Sequence, residues 1–166
     1  MNIPVTITAT QAWIFLPLAL PICIWAIYSD VREFKIRNYA VLALIAGFVV
    51  LGPFALDWAE YFWRFAHFAV VFAIGYGLWA FTGLGAGDAK IAAAISLFVA
   101  LPDVTSVLLI WLVAMIVMAL LYSRRAVQVA QTDGVRAARK MEVPFGIALA
   151  PTLIAYLVLG IAQGGA

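Results

Sequence analysis

Long apolar runs separated by short polar breaks leave this chain few ways to fold. Hydrophobic residues make up 67% of its 166 residues and charged residues only 11%. A water-soluble domain is about half apolar and about a quarter charged. So much apolar surface has no globular core to hide in, and the bilayer must be the main solvent. Inside hydrocarbon the backbone has to satisfy its own hydrogen bonds, which helices do. The expectation is an all-α, polytopic membrane helix bundle of about six transmembrane helices. Residues 1–166 are read as a single integral membrane domain with no separate soluble part.

The six spans are expected at 13–28, 39–56, 65–81, 91–101, 104–122 and 143–161. Pro17 and Pro21 predict a kink in the first, because proline frees a carbonyl inside a helix. Asp57, Glu60 and Arg64 read as a short loop, flanked by Trp58, Tyr61 and Trp63 as an interfacial aromatic belt. Leu101-Pro102-Asp103 reads as a turn. The fourth span is short unless it begins at the aspartate before it. The basic segment 123–142 is expected to lie on anionic lipids as a surface helix, with a mobile lid as the alternative reading. The sequence contains no repeat and no low-complexity tract.

The cations set the orientation. Nine of the ten Lys and Arg residues fall in the breaks after spans one, three and five: Arg32, Lys35, Arg37, Lys90, Arg124, Arg125, Arg136, Arg139 and Lys140. Arg64 alone falls on the other side. The positive-inside rule then puts those three loops in the cytoplasm and both termini outside. No Lys or Arg precedes Arg32, so the first run is expected to stay as a helix rather than serve as a cleaved signal. Cys23, a single cysteine, offers neither a disulfide nor a CxxC metal site and reads as core. No metal, cofactor or nucleic-acid partner is expected.

Two aspartates stand out against this background. Asp30 ends span one and Asp88 opens span four, so span parity brings both to the cytoplasmic face. Neither then has to sit at the bilayer centre, where a charge costs about 3 kcal/mol or more. Two neighbouring carboxylates can share one proton, one acting as base towards a water and the other as acid towards a leaving amine. Asp88, near a helix N-terminus, is expected to be the more readily ionised of the two. Gly85 and Gly87, just before it, would let the backbone approach an extended peptide closely. A GxxxG packing pair of Gly83 and Gly87 is the alternative reading. Lys90 anchors its helix at the headgroups or steers substrate. His67 reads as packing near the outer face.

The run Tyr28-Ser29-Asp30-Val31-Arg32-Glu33-Phe34-Lys35-Ile36-Arg37-Asn38 resembles the first catalytic motif of type IV prepilin peptidases, with Arg37 where proline is common. Gly85-Ala86-Gly87-Asp88-Ala89-Lys90-Ile91 resembles the family's GxGD motif. Pro144-Phe145-Gly146 with Leu149-Ala150 resembles its last-helix segment. The resemblance runs from about residue 28 to 151. It implies an aspartyl endopeptidase of the bacterial inner membrane with Asp30 and Asp88 catalytic. Asn38, Gly85, Gly87, Lys90, Pro144, Phe145 and Gly146 would support the site. The implied substrate is a prepilin, cut on the cytoplasmic side just before its hydrophobic helix. The cysteine-bearing methyltransferase region of the larger members has no counterpart here, so the chain looks like the small tight-adherence (Flp pilus) type.

Two other classes use similar residues. A presenilin-like intramembrane protease shares GxGD but cuts within the bilayer. A small proton- or ion-coupled transporter would use the acids as relays, usually on internal repeats.

Overall fold

The computed structural model describes residues 3–33, 37–82, 85–132 and 146–164, with side chains for all of these except 33, 82, 125–132, 146 and 147. Among the described residues six α-helices follow one another: α1 Ala9–Glu33, α2 Asn38–Ala55, α3 Trp58–Thr82, α4 Ala86–Ser96, α5 Val104–Thr132 and α6 Gly146–Gln163. A 3-10 turn, Leu101–Asp103, leads into α5. Among the described residues there is no strand. The chain is a polytopic helical bundle, as the apolar runs require.

Four stretches are long and apolar enough to cross a membrane: Ala9–Arg32, Asn38–Ala55, Trp58–Phe81 and Leu101–Arg124. The apolar part of α6, Ala148–Gln163, is shorter. The 11 residues of α4 rise only about 17 Å, against a hydrocarbon core of about 30 Å. α4 need not match that thickness because lipid hardly touches it. Ala89, Ile91, Ala93, Ala94 and Ile95 are buried, as are Leu97, Phe98, Val99 and Ala100 beyond its end. α4 packs mainly on α3 and also on α2 and α6, while α1 packs on α6 and α2.

The helix ends differ from the sequence expectation in α1, α3, α4 and α5; α4 covers Ala86–Ser96 rather than 91–101, so it begins before Asp88 and stops earlier. α1 begins before residue 13 and runs past residue 28. Its start is a reciprocal cap that the spacing Thr8-Ala9-Thr10-Gln11 encodes. The Gln11 amide donates to Thr8 Oγ1 at 3.2 Å and the Thr8 amide to Gln11 Oε1 at 3.1 Å. Glu60 and Arg64 stand inside α3 rather than in a loop. One turn apart on a helix, they pair with Arg64 Nη2 2.6 Å from Glu60 Oε1, and the pairing lets charges enter an apolar helix. α5 continues to Thr132 instead of stopping at 122, because no glycine or proline interrupts the sequence before Gly134. Only the first part of the basic segment 123–142 is therefore described, and it is the end of α5 rather than a separate surface helix. Pro17 and Pro21 both lie within α1.

Aromatic rings fill the centre. Phe15 of α1, Phe48 of α2 and Phe98 beyond α4 meet pairwise at centroid distances of 5.9, 5.2 and 5.5 Å, and Tyr61 of α3 stacks on Phe48 at 5.6 Å. Cys23 is buried in the same cluster. The closest approach of α3 to α4 is at Gly75. A Cβ there would lie 2.9 Å from the Ala89 Cβ and 3.2 Å from its Cα. This small-residue contact helps seat α4 against α3. Gly83 lies outside the described residues.

One end of the bundle is fastened by Asp103. Its Oδ1 accepts from the Thr6 amide at 2.7 Å, and its Oδ2 from the Ile7 amide at 3.1 Å and the Tyr156 hydroxyl at 2.7 Å. The Tyr156 oxygen in turn accepts from the Ala100 amide at 3.1 Å. Ser106 Oγ donates to the Pro4 carbonyl at 2.6 Å. The segment before α1 is thus held to the starts of α5 and to α6. The opposite end carries Asp30, Asn38 and Asp88.

Candidate active site

Asp30 lies in the last turn of α1 and Asp88 in the first turn of α4. The charge of Asp30 is felt at Asp88, which brings these two turns to the same end of the bundle. Asp30 is buried, 6% exposed, and its Oδ2 has no hydrogen-bond partner. Buried carboxylate oxygens normally find a donor, since leaving one bare costs free energy. Beside it, Ser29 turns its hydroxyl back to the Ala26 carbonyl at 3.0 Å instead of towards Asp30.

Asp88 is half-buried. Burial pushes its carboxyl up to about 6, and the nearby charge of Asp30 pushes in the same direction. The two acids therefore sense each other across the gap between α1 and α4. The helix-dipole argument expected Asp88 to ionise readily. Desolvation and a like charge outweigh the partial positive charge of the α4 N-terminus and push the Asp88 carboxyl up to about 6.

Gly85 has a specific reason to be glycine, and it is space rather than backbone freedom. Its φ of −58° and ψ of 126° suit most residues. A Cβ there, however, would sit 2.9 Å from Asp88 Oδ2. The Asp88 carboxylate folds back over the bare Cα of Gly85, while its own amide donates to the Gly85 carbonyl at 3.0 Å. Gly87 is half-buried in the same turn.

The supporting residues divide. Lys90 reaches across to α2, donating from Nζ to Asn38 Oδ1 at 3.2 Å. That bond ties the α4 N-terminus to the α2 N-terminus. Arg32 lies over the Tyr28 ring at 5.0 Å, a cation–π contact. Gly146 is the first residue of α6. Pro144 and Phe145, like Lys35, fall outside the described residues. Sequence reasoning passed over Asp103 and Tyr156, which hold the other end of the bundle. The signal for Asp103 was its place after Pro102 at the start of a long apolar helix.

His67 and Arg64 lie at the end away from the acids, beside a cavity of about 730 Å³ to which neither aspartate contributes. Among the described residues no group of three or more His, Cys, Asp or Glu side chains is arranged to hold a metal ion.

Comparison with known families finds one match. The model of the type IV leader peptidase family covers residues 17–120. That range holds both aspartates, the Lys90–Asn38 bond and α1 to α4 apart from the first turns of α1. Comparisons with curated proteins and with solved structures give no match.

Proposed function

The chain belongs to the type IV leader peptidase family, and from that premise we propose that it cuts prepilin leaders with a water activated by Asp30 and Asp88. The observation that carries this reading is the electrostatic coupling of two half-hidden carboxyls, one with a bare buried oxygen. Repulsion between them favours a pair that keeps one proton. The ionised member takes a proton from water as the water oxygen attacks the scissile carbonyl. The protonated member hydrogen-bonds the carbonyl oxygen as it gains negative charge. When the tetrahedral intermediate collapses, the C–N bond breaks and a carboxyl proton passes to the leaving amine. The pair then holds one proton again, with roles exchanged.

Gly85 supports the reaction by leaving room for the Asp88 carboxylate. Lys90 and Asn38 fix the helix end that carries it. By resemblance to the family, Gly87, Pro144, Phe145 and Gly146 would support the site. The distribution of nine cations on one side supports a cytoplasmic site with both termini outside. A site at the water's edge suits a bond just before the hydrophobic helix of a prepilin, rather than one within the bilayer.

The test is cleavage of a prepilin by purified protein in liposomes. Asp30→Asn and Asp88→Asn should each lower the rate by about a thousandfold or more, because half a pair cannot exchange roles. Cleavage within tenfold of the parent by either variant would refute the shared-proton mechanism.

A further inference from the structure

The end of the bundle away from the acids holds a second unusual arrangement. A cavity of about 730 Å³ opens there, and α3 lines it with Glu60, Trp63, Arg64, Ala66, His67 and Val70. Arg64 is only 3% exposed. Its Nη2 meets Glu60, but Nε and Nη1 are buried with no partner. A guanidinium carries five N–H donors, and burying them unpaired is costly. His67 Nδ1 is likewise buried and unpaired. Glu60 is 40% exposed. Arg64, His67 and Glu60 together line one wall of the cavity, so unmet guanidinium donors stand beside a carboxylate and an imidazole.

The depth of this wall indicates the ligand. Trp58, Phe62 and Trp63 are all strongly exposed on the same turns of α3, Trp63 at 72%. Exposed tryptophans of this kind sit at the headgroup level of a bilayer. The positive charge of Arg64 is matched by Glu60, so a ligand with only negative charge gains no net attraction. A ligand with a phosphate and a primary ammonium matches both signs.

We propose that this cavity binds a phospholipid with a phosphoethanolamine headgroup. The phosphate takes the free donors of Arg64. The ammonium donates to Glu60 and His67 Nδ1. An acyl chain follows Ala66 and Val70 along α3.

The test uses the full chain, delipidated in detergent, with its thermal midpoint followed as lipid is added. Phosphatidylethanolamine should raise the midpoint with a half-saturating concentration about tenfold lower than phosphatidylcholine, which has no N–H, or phosphatidylglycerol, which has no ammonium. Soluble O-phosphoethanolamine and inorganic phosphate, lacking chains, should have no effect at the same concentrations. Arg64→Gln should weaken the phosphatidylethanolamine response at least tenfold. Glu60→Gln should erase the preference over phosphatidylcholine. Ala66→Trp fills the cavity but keeps the Arg64–Glu60 pair, and should abolish the response even if Arg64→Gln proves too unstable to purify. Prepilin cleavage, at the other end of the bundle, reports that each variant is folded. Equal half-saturation by phosphatidylethanolamine and phosphatidylcholine, an undiminished response in Ala66→Trp or Arg64→Gln, or a full response to either soluble phosphate would overturn the assignment.

Discussion

Asp103 and Asp30 are both buried carboxylates at helix ends, 1% and 6% exposed, at opposite ends of one bundle. Asp103 accepts three hydrogen bonds, two from backbone amides and one from Tyr156. Asp30 has a bare Oδ2, and its coupled neighbour Asp88 is held in the protonated form to about pH 6. A carboxylate with its lone pairs satisfied is a fastener. A pair with one bare buried oxygen and a like charge beside it is costly to ionise fully, which is unfavourable for the fold and suits the proposed proton transfer. The same residue type thus serves structure at one end and, in the proposed mechanism, chemistry at the other. The difference lies in the partners supplied.

Substitutions sharpen this contrast. The largest effect on stability is expected at the satisfied end. Asp103→Ala strands the Ile7 amide and the Tyr156 hydroxyl and frees the segment before α1, a loss of about 3 kcal/mol. The thermal midpoint should fall by several degrees, while the cleavage rate per folded molecule stays near that of the parent. A large loss of rate with an unchanged midpoint would erase the distinction between the ends.

Gly85→Ala comes next. Its Cβ would crowd Asp88 Oδ2 at 2.9 Å, so the carboxylate must swing aside. Cleavage should drop by about tenfold, about 1.4 kcal/mol in the barrier, with little change in midpoint. An unaffected rate would mean that the folded-back carboxylate is not the reactive arrangement. Lys90→Met should cost least. Its bond to Asn38 is exposed, and pairs of that kind contribute up to about 1 kcal/mol. A rate change under about threefold is expected, and a collapse of activity would promote Lys90 from the framework to the reaction.

The pH dependence follows from the same pair. Cleavage needs one proton between the two acids. As pH rises through about 6, Asp88 loses that proton, so kcat/KM of the free enzyme should decline on the alkaline side with a midpoint near there. A profile flat from pH 5 to 8 would count against the shared proton.

Much of this was readable from the chain. The apolar runs required a helical membrane bundle, and Asp30 and Asp88 could be singled out because charges are scarce in such runs. The helix ends were harder. α3 takes in Glu60 and Arg64 because they neutralise each other one turn apart, which a count of charges against lipid does not capture. α4 is short because its neighbours cover it, and neighbours are not visible in a local window. The relative protonation of the acids depended on desolvation, which depends on the packing of α1 against α2 and α6 and of α4 against α3. The Thr8-x-x-Gln11 cap went unread in the sequence, although its spacing encodes it.

The most direct test of the account reads chemistry and stability together in Asp88→Asn. The native carboxyl binds its proton more tightly folded than unfolded, about 6 against an ordinary value near 4. Its contribution is therefore full below about pH 4 and is lost as pH rises through about 6. Asparagine stays neutral, so above pH 6 the variant avoids this loss, worth roughly 2 kcal/mol after allowing for the partial exposure of the site. At pH 7.5 the account predicts a higher thermal midpoint than the parent together with loss of prepilin cleavage, and a midpoint advantage that shrinks towards pH 4. A lower midpoint at pH 7.5, or cleavage at near the parental rate, would contradict it.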